Sequence, residues 1–196
     1  MQAKYSYAVN LAEEGAYKLR DSIDTFVLSK VTDAASALDA GDIGGTAGSA
    51  ITATSGNIAD VFIQGRAKLR KMNVEESGDW IAVVTPTVAA LIERFAAGNG
   101  FNVQDSTIRN GYAGSYLGFK VYISNNLPTA SHGGTTSDMQ YLGRAKQIHA
   151  VVQKAPSMAI KDAEKRLGNY FYPNTVYGAK VFNKNTFRFL KVPIRR

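Results

Sequence analysis

Apolar residues recur at three- and four-residue spacing from the start of the chain: Ala8, Ala12, Ala16, Leu19, Ile23, Phe26 and Val27, continuing to about residue 31. Glu13, Glu14, Lys18, Arg20 and Asp21 fall on the opposite face. The pattern predicts a helix of about 28 residues, roughly 40 Å long, which is more than a compact domain ordinarily uses. Such a helix acts as a spine for other elements. The segment Ala40 to Ala50 carries four glycines and little to bury, which predicts a flexible connection and a domain boundary. Asn57 is placed to cap a second helix, with Ile58, Val61, Phe62, Leu69 and Met72 at helical spacing and Arg66, Lys68, Arg70 and Lys71 mostly outward.

The period then shortens. Trp80 to Val84 is a short apolar run between a turn and a proline, as a buried strand should be. Thr85 caps and Pro86 opens a third helix carrying Val88, Leu91, Ile92 and Phe95, stopped by Gly98. Thr107 to Arg109 and Gly114 to Tyr116 read as strands leading to Gly118 to Ile123, in which Phe119, Val121 and Ile123 alternate with Lys120 and Tyr122. Ser131 to Asp138 is polar and glycine-rich and predicts an exposed loop, Gln147 to Val152 another strand, and Ile160 to Leu167 a short helix. At the end, Thr175 to Phe182 and Thr186 to Val192 read as two strands joined by a tight turn at Asn183 to Asn185. The expected class is α+β, with Trp80 to Val84, Phe119 to Ile123 and Gln147 to Val152 in one mixed sheet flanked by the helices at Ile58 to Met72 and Val88 to Phe95. No internal repeat or heptad run is present.

Composition places the chain among globular proteins: 196 residues, 45% hydrophobic and 20% charged. The lack of cysteine excludes disulfides, thiolate zinc sites and cysteine nucleophiles, and fits synthesis in a reducing compartment such as the cytoplasm. No apolar run approaches the roughly 20 residues of a membrane helix, and Met1 to Tyr7 has no signal-peptide core. A formal charge of +7 favours polyanions. The positive residues are spread over Lys68, Arg70 and Lys71, then Lys161, Lys165 and Arg166, then Arg195 and Arg196. No helix-turn-helix, zinc-finger or RNA-binding signature accompanies them, which favours solvated faces over a base-reading surface.

Candidate chemistry is sparse. His132 in a glycine-rich loop and His149 in an apolar strand have no histidine or cysteine partner at metal-ligand spacing. His132 reads as a solvated loop residue and His149 as a strand residue facing a neighbour. Glu13-Glu14 and Glu75-Glu76 are adjacent on the chain, so they diverge by about 100° on a helix and do not face one another as an acid-base pair. Gly114-Ser115 lacks the second glycine of a nucleophile elbow at the required position. The loop at Ala40 to Ala50 has neither phosphate-binding glycine pattern. Tyr170, Phe171, Tyr172 and Tyr177 beside Lys165, Arg166 and Lys180 could stack on bases, but packing in a core or a subunit interface is the simpler reading. No catalytic residue, metal ligand or cofactor-binding residue is assigned.

The order of elements resembles the major capsid proteins of tailed bacteriophages, the Hong Kong-type capsid fold also used by encapsulin shells. The resemblance lies in a succession of phrases. The spine helix from about Tyr5 to Val31 is followed by a helix ending Arg70-Lys71-Met72-Asn73, and then by Trp80-Ile81-Ala82-Val83-Val84-Thr85-Pro86, similar to the family's entry into its axial domain. Gly118 to Pro128 resembles its "Gly, apolar, x, Val, apolar, x, Ser, x, x, apolar, Pro" phrase, and Gln140 to Ala145 its segment before a late axial strand. Val176 to Phe182 and Phe187 to Val192 are similar to its closing peripheral strands. The resemblance implies a peripheral-domain spine helix and linker at 1–45, an axial domain at 46–158, and a return to the peripheral domain with closing strands at 159–196.

It further implies a non-enzymatic shell subunit in the virion, synthesised in the host cytoplasm. The implied partners are copies of itself and packaged DNA bound without sequence preference, with no membrane, small-molecule substrate or cofactor. The alternatives are an encapsulin-like compartment subunit and a non-specific nucleic-acid-binding module. The family normally carries an N-terminal arm and a hairpin extension before the spine, and this chain starts almost at the spine. A truncated or processed form is therefore expected, one that is a monomer or small oligomer when purified.

Overall fold

The computed structural model describes residues 2–74, 80–98, 112–162, 169–181 and 189–195. The predicted spine is helix α1 (Gln2–Ser29), which tightens into a 3-10 turn at Lys30–Asp33. A two-residue strand, β1 (Ser36–Ala37), follows. Then come α2 (Ile58–Lys71), β2 (Trp80–Val84), α3 (Pro86–Gly98), β3 (Tyr112–Tyr116) and β4 (Phe119–Ile123). The chain continues through β5 (Thr129–His132), β6 (Thr135–Arg144), β7 (Ile148–Asp162), β8 (Asn169–Val181) and β9 (Phe189–Arg195). The fold is α+β, as expected.

Seven strands form one mixed sheet in the order β1, β9, β6, β2, β4, β3, with β5 pairing β6 beyond the end of β2. β2 and β4 are parallel neighbours, as are β1 and β9, while β6 runs antiparallel to both β2 and β9. Both faces of this sheet are covered. On one, Ile58, Val61, Phe62 and Leu69 of α2 and Val88 and Ala89 of α3 pack on Trp80, Ala82, Val84, Phe119, Val121 and Leu142. On the other, Val31 and Ala34 at the end of the spine and Val181 of β8 pack with Met139, Tyr141 and Phe189, while Ile81 and Val83 adjoin them. Alternate residues of β2 thus serve two cores, which is why its run is apolar throughout. Gly65 lets α2 approach closely, since a Cβ there would lie 2.7 Å from Leu142 Cδ2.

Several expectations are corrected. Gln147 to Val152 does form a strand, but as the start of β7, which pairs only with β8 in a separate two-stranded ribbon. Its place in the main sheet is taken by β6, predicted in part as an exposed loop. Thr135 to Asp138 are paired with β5 around a turn at Gly133 and Gly134, whose φ of 57° and 79° suit glycine and the twist of a hairpin. Ile160 to Asp162, expected as the start of a helix, end β7 instead: cross-strand pairing of Ile160 with Phe171 and Lys161 with Tyr170 overrides the weak helical pattern. The two closing strands do not pair with each other, because β8 joins β7 and β9 joins β6 and β1. The strand at Thr107 to Arg109 and the turn at Asn183 to Asn185 lie outside the described residues.

The glycine-rich segment after β1 is a capped turn and not a flexible connection. The Asp39 carboxylate accepts from Gly41 N at 3.0 Å and Gly48 N at 2.8 Å, and Asp42 Oδ2 accepts from Asp39 N at 3.0 Å. Lys68 of α2 donates to the same Asp42 oxygen at 2.7 Å and to Ala37 O at 2.8 Å. Two aspartates therefore satisfy the loop amides that glycine leaves exposed. Asn57 precedes α2 but does not cap it with its side chain. Its Oδ1 accepts from Thr54 N at 2.7 Å and its Nδ2 donates to Thr52 O at 2.9 Å, bracing the approach to the helix.

Gln140, 1% exposed, lies at the centre of β6 and accepts from Thr85 N at 2.7 Å while donating to Asp138 O at 3.3 Å. It satisfies the amide at the turn from β2 into α3, whose first bond runs from Ala89 N to Thr85 O. Gln140→Leu strands that amide, and urea denaturation is expected to show a loss of about 1–3 kcal/mol. Tyr141 stacks on Phe189 at 5.0 Å and donates to Arg144 O at 2.6 Å, and burial pushes its phenol well above the ordinary value. The folded chain holds that proton more tightly than the unfolded chain, so this contribution is complete below about pH 10 and declines as pH rises above it. Tyr141→Phe is expected to flatten part of the stability loss above pH 10, read by denaturation at a series of pH values.

Candidate assembly surfaces

Beyond the main sheet, α1 and the β7–β8 ribbon form a second unit. Phe26 meets Tyr177 edge to face at 5.2 Å, and the hydroxyls of Ser22 and Tyr177 are hydrogen-bonded at 3.2 Å. Tyr177, weighed as a base-stacking residue, is thus a packing residue between spine and ribbon. The side chains of Tyr170, Phe171 and Tyr172 lie outside the description. From Thr175 to Val181, burial alternates along β8: Thr175, Tyr177, Ala179 and Val181 turn towards the helix side, and Val176, Gly178 and Lys180 turn away. Register places Val151 opposite Gly178 and His149 opposite Lys180. The outward face of the ribbon therefore carries Val151, 67% exposed, and Val176, 49% exposed.

The spine presents the complementary case. Projected at 100° per residue, Asn10, Glu13, Glu14, Tyr17, Asp21 and Asp24 share one exposed arc, opposite Leu19, Ser22, Ile23 and Phe26. Tyr17 sits at its centre and is 69% exposed. Glu14 is paired with Lys18 at 3.1 Å, and Asp21 accepts from Asn126 Nδ2 at 2.6 Å. Tyr17 could have been singled out in the sequence, since it stands among acidic residues on the polar face of a helix. Val151 and Val176 could not, because their outward direction depends on which side of the ribbon the spine covers.

Among the described residues the predicted basic clusters do not merge into one surface. Lys68 is turned inward to Asp42 and Ala37, Arg70 and Lys71 are exposed in the last turn of α2, and Arg195 is exposed at the end of β9. Lys161 stands in the far half of β7, and Lys165, Arg166 and Arg196 lie outside the described residues. His149 is on the exposed ribbon. His132 corrects the reading of a solvated loop residue: it pairs with Thr135 in the β5–β6 hairpin, and its Nε2 is buried without a hydrogen-bond partner among the described residues.

A cleft of about 390 Å³ opens at the start of α3, between Thr85, Thr87, Asn125, Leu127, Asp138 and Arg195. It brings together one carboxylate, one guanidinium and the hydroxyls of Thr85 and Thr87. Among the described residues no three His, Asp or Glu side chains converge as metal ligands, and no helix is long and apolar enough to cross a membrane. Among the described residues the exposed faces of the spine and the ribbon, together with this cleft, are candidate sites.

Comparison with known proteins bears on what such faces do. A search of curated proteins finds no match. Among solved structures, a chain from Mycobacterium phage Che8 superposes with a TM-score of 0.67 at 20% identity, covering 93% of this chain and 61% of that one. A chain from the capsid structure of the cyanophage P-SCSP1u gives 0.60 at 14% identity, covering 100% and 66%. A chain from the capsid of an empty GTA particle gives 0.53 at 11%, covering 98% and 66%. At these identities the likeness is one of fold, and the chain spans 61% to 66% of the length of those it matches. The family model for phage capsid proteins matches residues 7–183, from the spine helix through both strands of the ribbon. The chain belongs to the phage capsid protein family.

Proposed function

We propose that this chain is a structural subunit of an icosahedral phage capsid, associating with copies of itself into a shell that encloses DNA and performing no catalysis of its own. The observation that carries the reading is the family match over residues 7–183, nearly the whole chain. The solved capsid chains of the same fold support it. In this reading α1 and the β7–β8 ribbon make a peripheral layer and the seven-stranded sheet with α2 and α3 an axial layer. The virion capsid is its location and the bacterial cytoplasm its place of synthesis. Function then resides in broad faces, each small by the standard of a stable dimer, so that assembly is cooperative.

Light scattering and electron microscopy test this. The purified chain is expected to be a monomer or small oligomer at micromolar concentration, and to form rings, sheets or shells of uniform curvature when concentrated or crowded. A chain that stays monomeric under all these conditions overturns the reading.

The DNA contact is expected to be electrostatic, since the exposed positive residues are scattered and no element is shaped to enter a groove. Mobility shifts with any duplex should be visible near 50 mM salt and be lost by about 200 mM. Tight binding to one sequence at physiological salt would contradict a shell role.

A further inference from the structure

We propose that the outward face of the β7–β8 ribbon docks on the acidic, tyrosine-centred arc of α1 of a second copy. The inference rests on the shell reading and names one of its contacts. The first observation is that the ribbon, where its side chains are described, leaves apolar residues in solvent. A two-stranded sheet is marginal by itself and needs a packed face; the spine covers one face at Tyr177 and leaves Val152 beside it 47% exposed, and the other face leaves Val151 and Val176 in solvent around Gly178. The second is charge. Among the ribbon side chains described, 148–152 and 175–181, Lys180 is the one charged residue, and it turns outward, a balance of +1. On α1 from Asn10 onward, Glu13, Glu14, Asp21 and Asp24 stand against Lys18 and Arg20, a balance of 2 − 4 = −2.

The partner is therefore another copy of this chain, since each copy carries both halves of the contact. A symmetric ribbon-to-ribbon contact would bring the two Lys180 side chains together, whereas ribbon to helix sets Lys180 on carboxylates with Tyr17 placed to cover the valines. Such a contact is heterologous: every joined pair keeps one free ribbon and one free helix, so the contact repeats until a ring closes. Its size fits a shell subunit. A ribbon face about 40 Å long and about 10 Å wide offers on the order of 400 Å², half of the roughly 800 Å² per partner of a stable pair. A single contact is weak, and closure supplies each subunit with two.

The absence of cysteine makes a direct test possible. Gly178→Cys places a thiol at the centre of the ribbon face, where a Cβ meets nothing within 4 Å. Asn10→Cys and Arg20→Cys place one on or beside the helix arc while retaining Tyr17 and the four carboxylates. All three positions are exposed, and circular dichroism confirms that each variant folds. Oxidation of an equimolar mixture of the ribbon variant with a helix variant, at concentrations where scattering detects association, is expected to give mixed disulfide dimers. The chain carrying both cysteines should give a ladder of oligomers. Val176→Asp should abolish the mixed product, and Lys180→Glu should lower it several-fold, with recovery when Asp24→Lys is present on the helix partner.

Ribbon-to-ribbon disulfides as the main product overturn the proposal. So does the absence of any mixed product. Rings or shells that form without the mixed disulfide overturn this docking while leaving the shell reading intact, whereas a chain with neither disulfide nor larger species overturns both.

Discussion

The fold depends on burying the middle of β6, from Met139 to Gly143. This strand is bonded along one edge to β9 from Ser137 to Gly143, and along the other to β2 and β5. Its faces belong to two different cores, Leu142 to the one under α2 and α3, and Met139 and Tyr141 to the one under the spine. The polar groups of its buried positions must be paired, because burial removes them from water. Ser137 is fully buried and donates to Thr135 O at 3.2 Å, while Gln140 spends its amide on Thr85 and Asp138. The Gln140 bond couples the central strand to the point where β2 turns into α3, so the sheet and one of its covering helices are positioned by the same side chain.

From that arrangement the rest of the molecule follows. With one face of the sheet closed by α2 and α3, the spine can be reached only from the other, and it arrives there through the 3-10 turn that buries Val31. Lys191 of β9 fastens this junction by donating to Thr32 O at 3.1 Å. Val181, the last described residue of β8, enters the same cluster, and Ile148 at the start of β7 packs beside it. Only the base of the ribbon is thus tied to the sheet, and its length lies along α1. Among the described residues the helix exposes an arc of carboxylates around Tyr17, and the ribbon exposes Val151, Val176 and Lys180.

Elements whose surroundings are uniform were legible in the sequence. The spine helix, α2, α3, β2 and β4 each have one buried side of constant period, or none that is polar, and the pattern of Ala, Leu, Ile and Phe or of Phe119, Val121 and Ile123 followed it. Pro86 marked the start of α3 for a purely local reason, its fixed φ and missing amide. The family resemblance was legible for the same reason, being carried by the order of these elements. Asn57 was misread because a capping residue and a loop brace use the same amide, and only the position of Thr52 and Thr54 decides between them.

What the tertiary structure alone decided is which strand lies beside which. Thr135 to Arg144 reads as polar because Thr, Ser, Asp and Gln are costly to bury alone; of these Ser137 and Gln140 are buried here, and the partner of Gln140, the amide of Thr85, is distant in sequence. Gln147 to Val152 has the same alternation in either sheet, and its separation from the main sheet was set by competition with β6 for the edge of β2. The candidate surfaces follow the same division. The amino-acid sequence determined the length of the spine, its acidic arc around Tyr17 and the absence of cysteine. The exposure of Val151 and Val176 came from the placement of α1 on the other side of the ribbon, because the period of a strand assigns residues to two faces without saying which one the rest of the chain will cover.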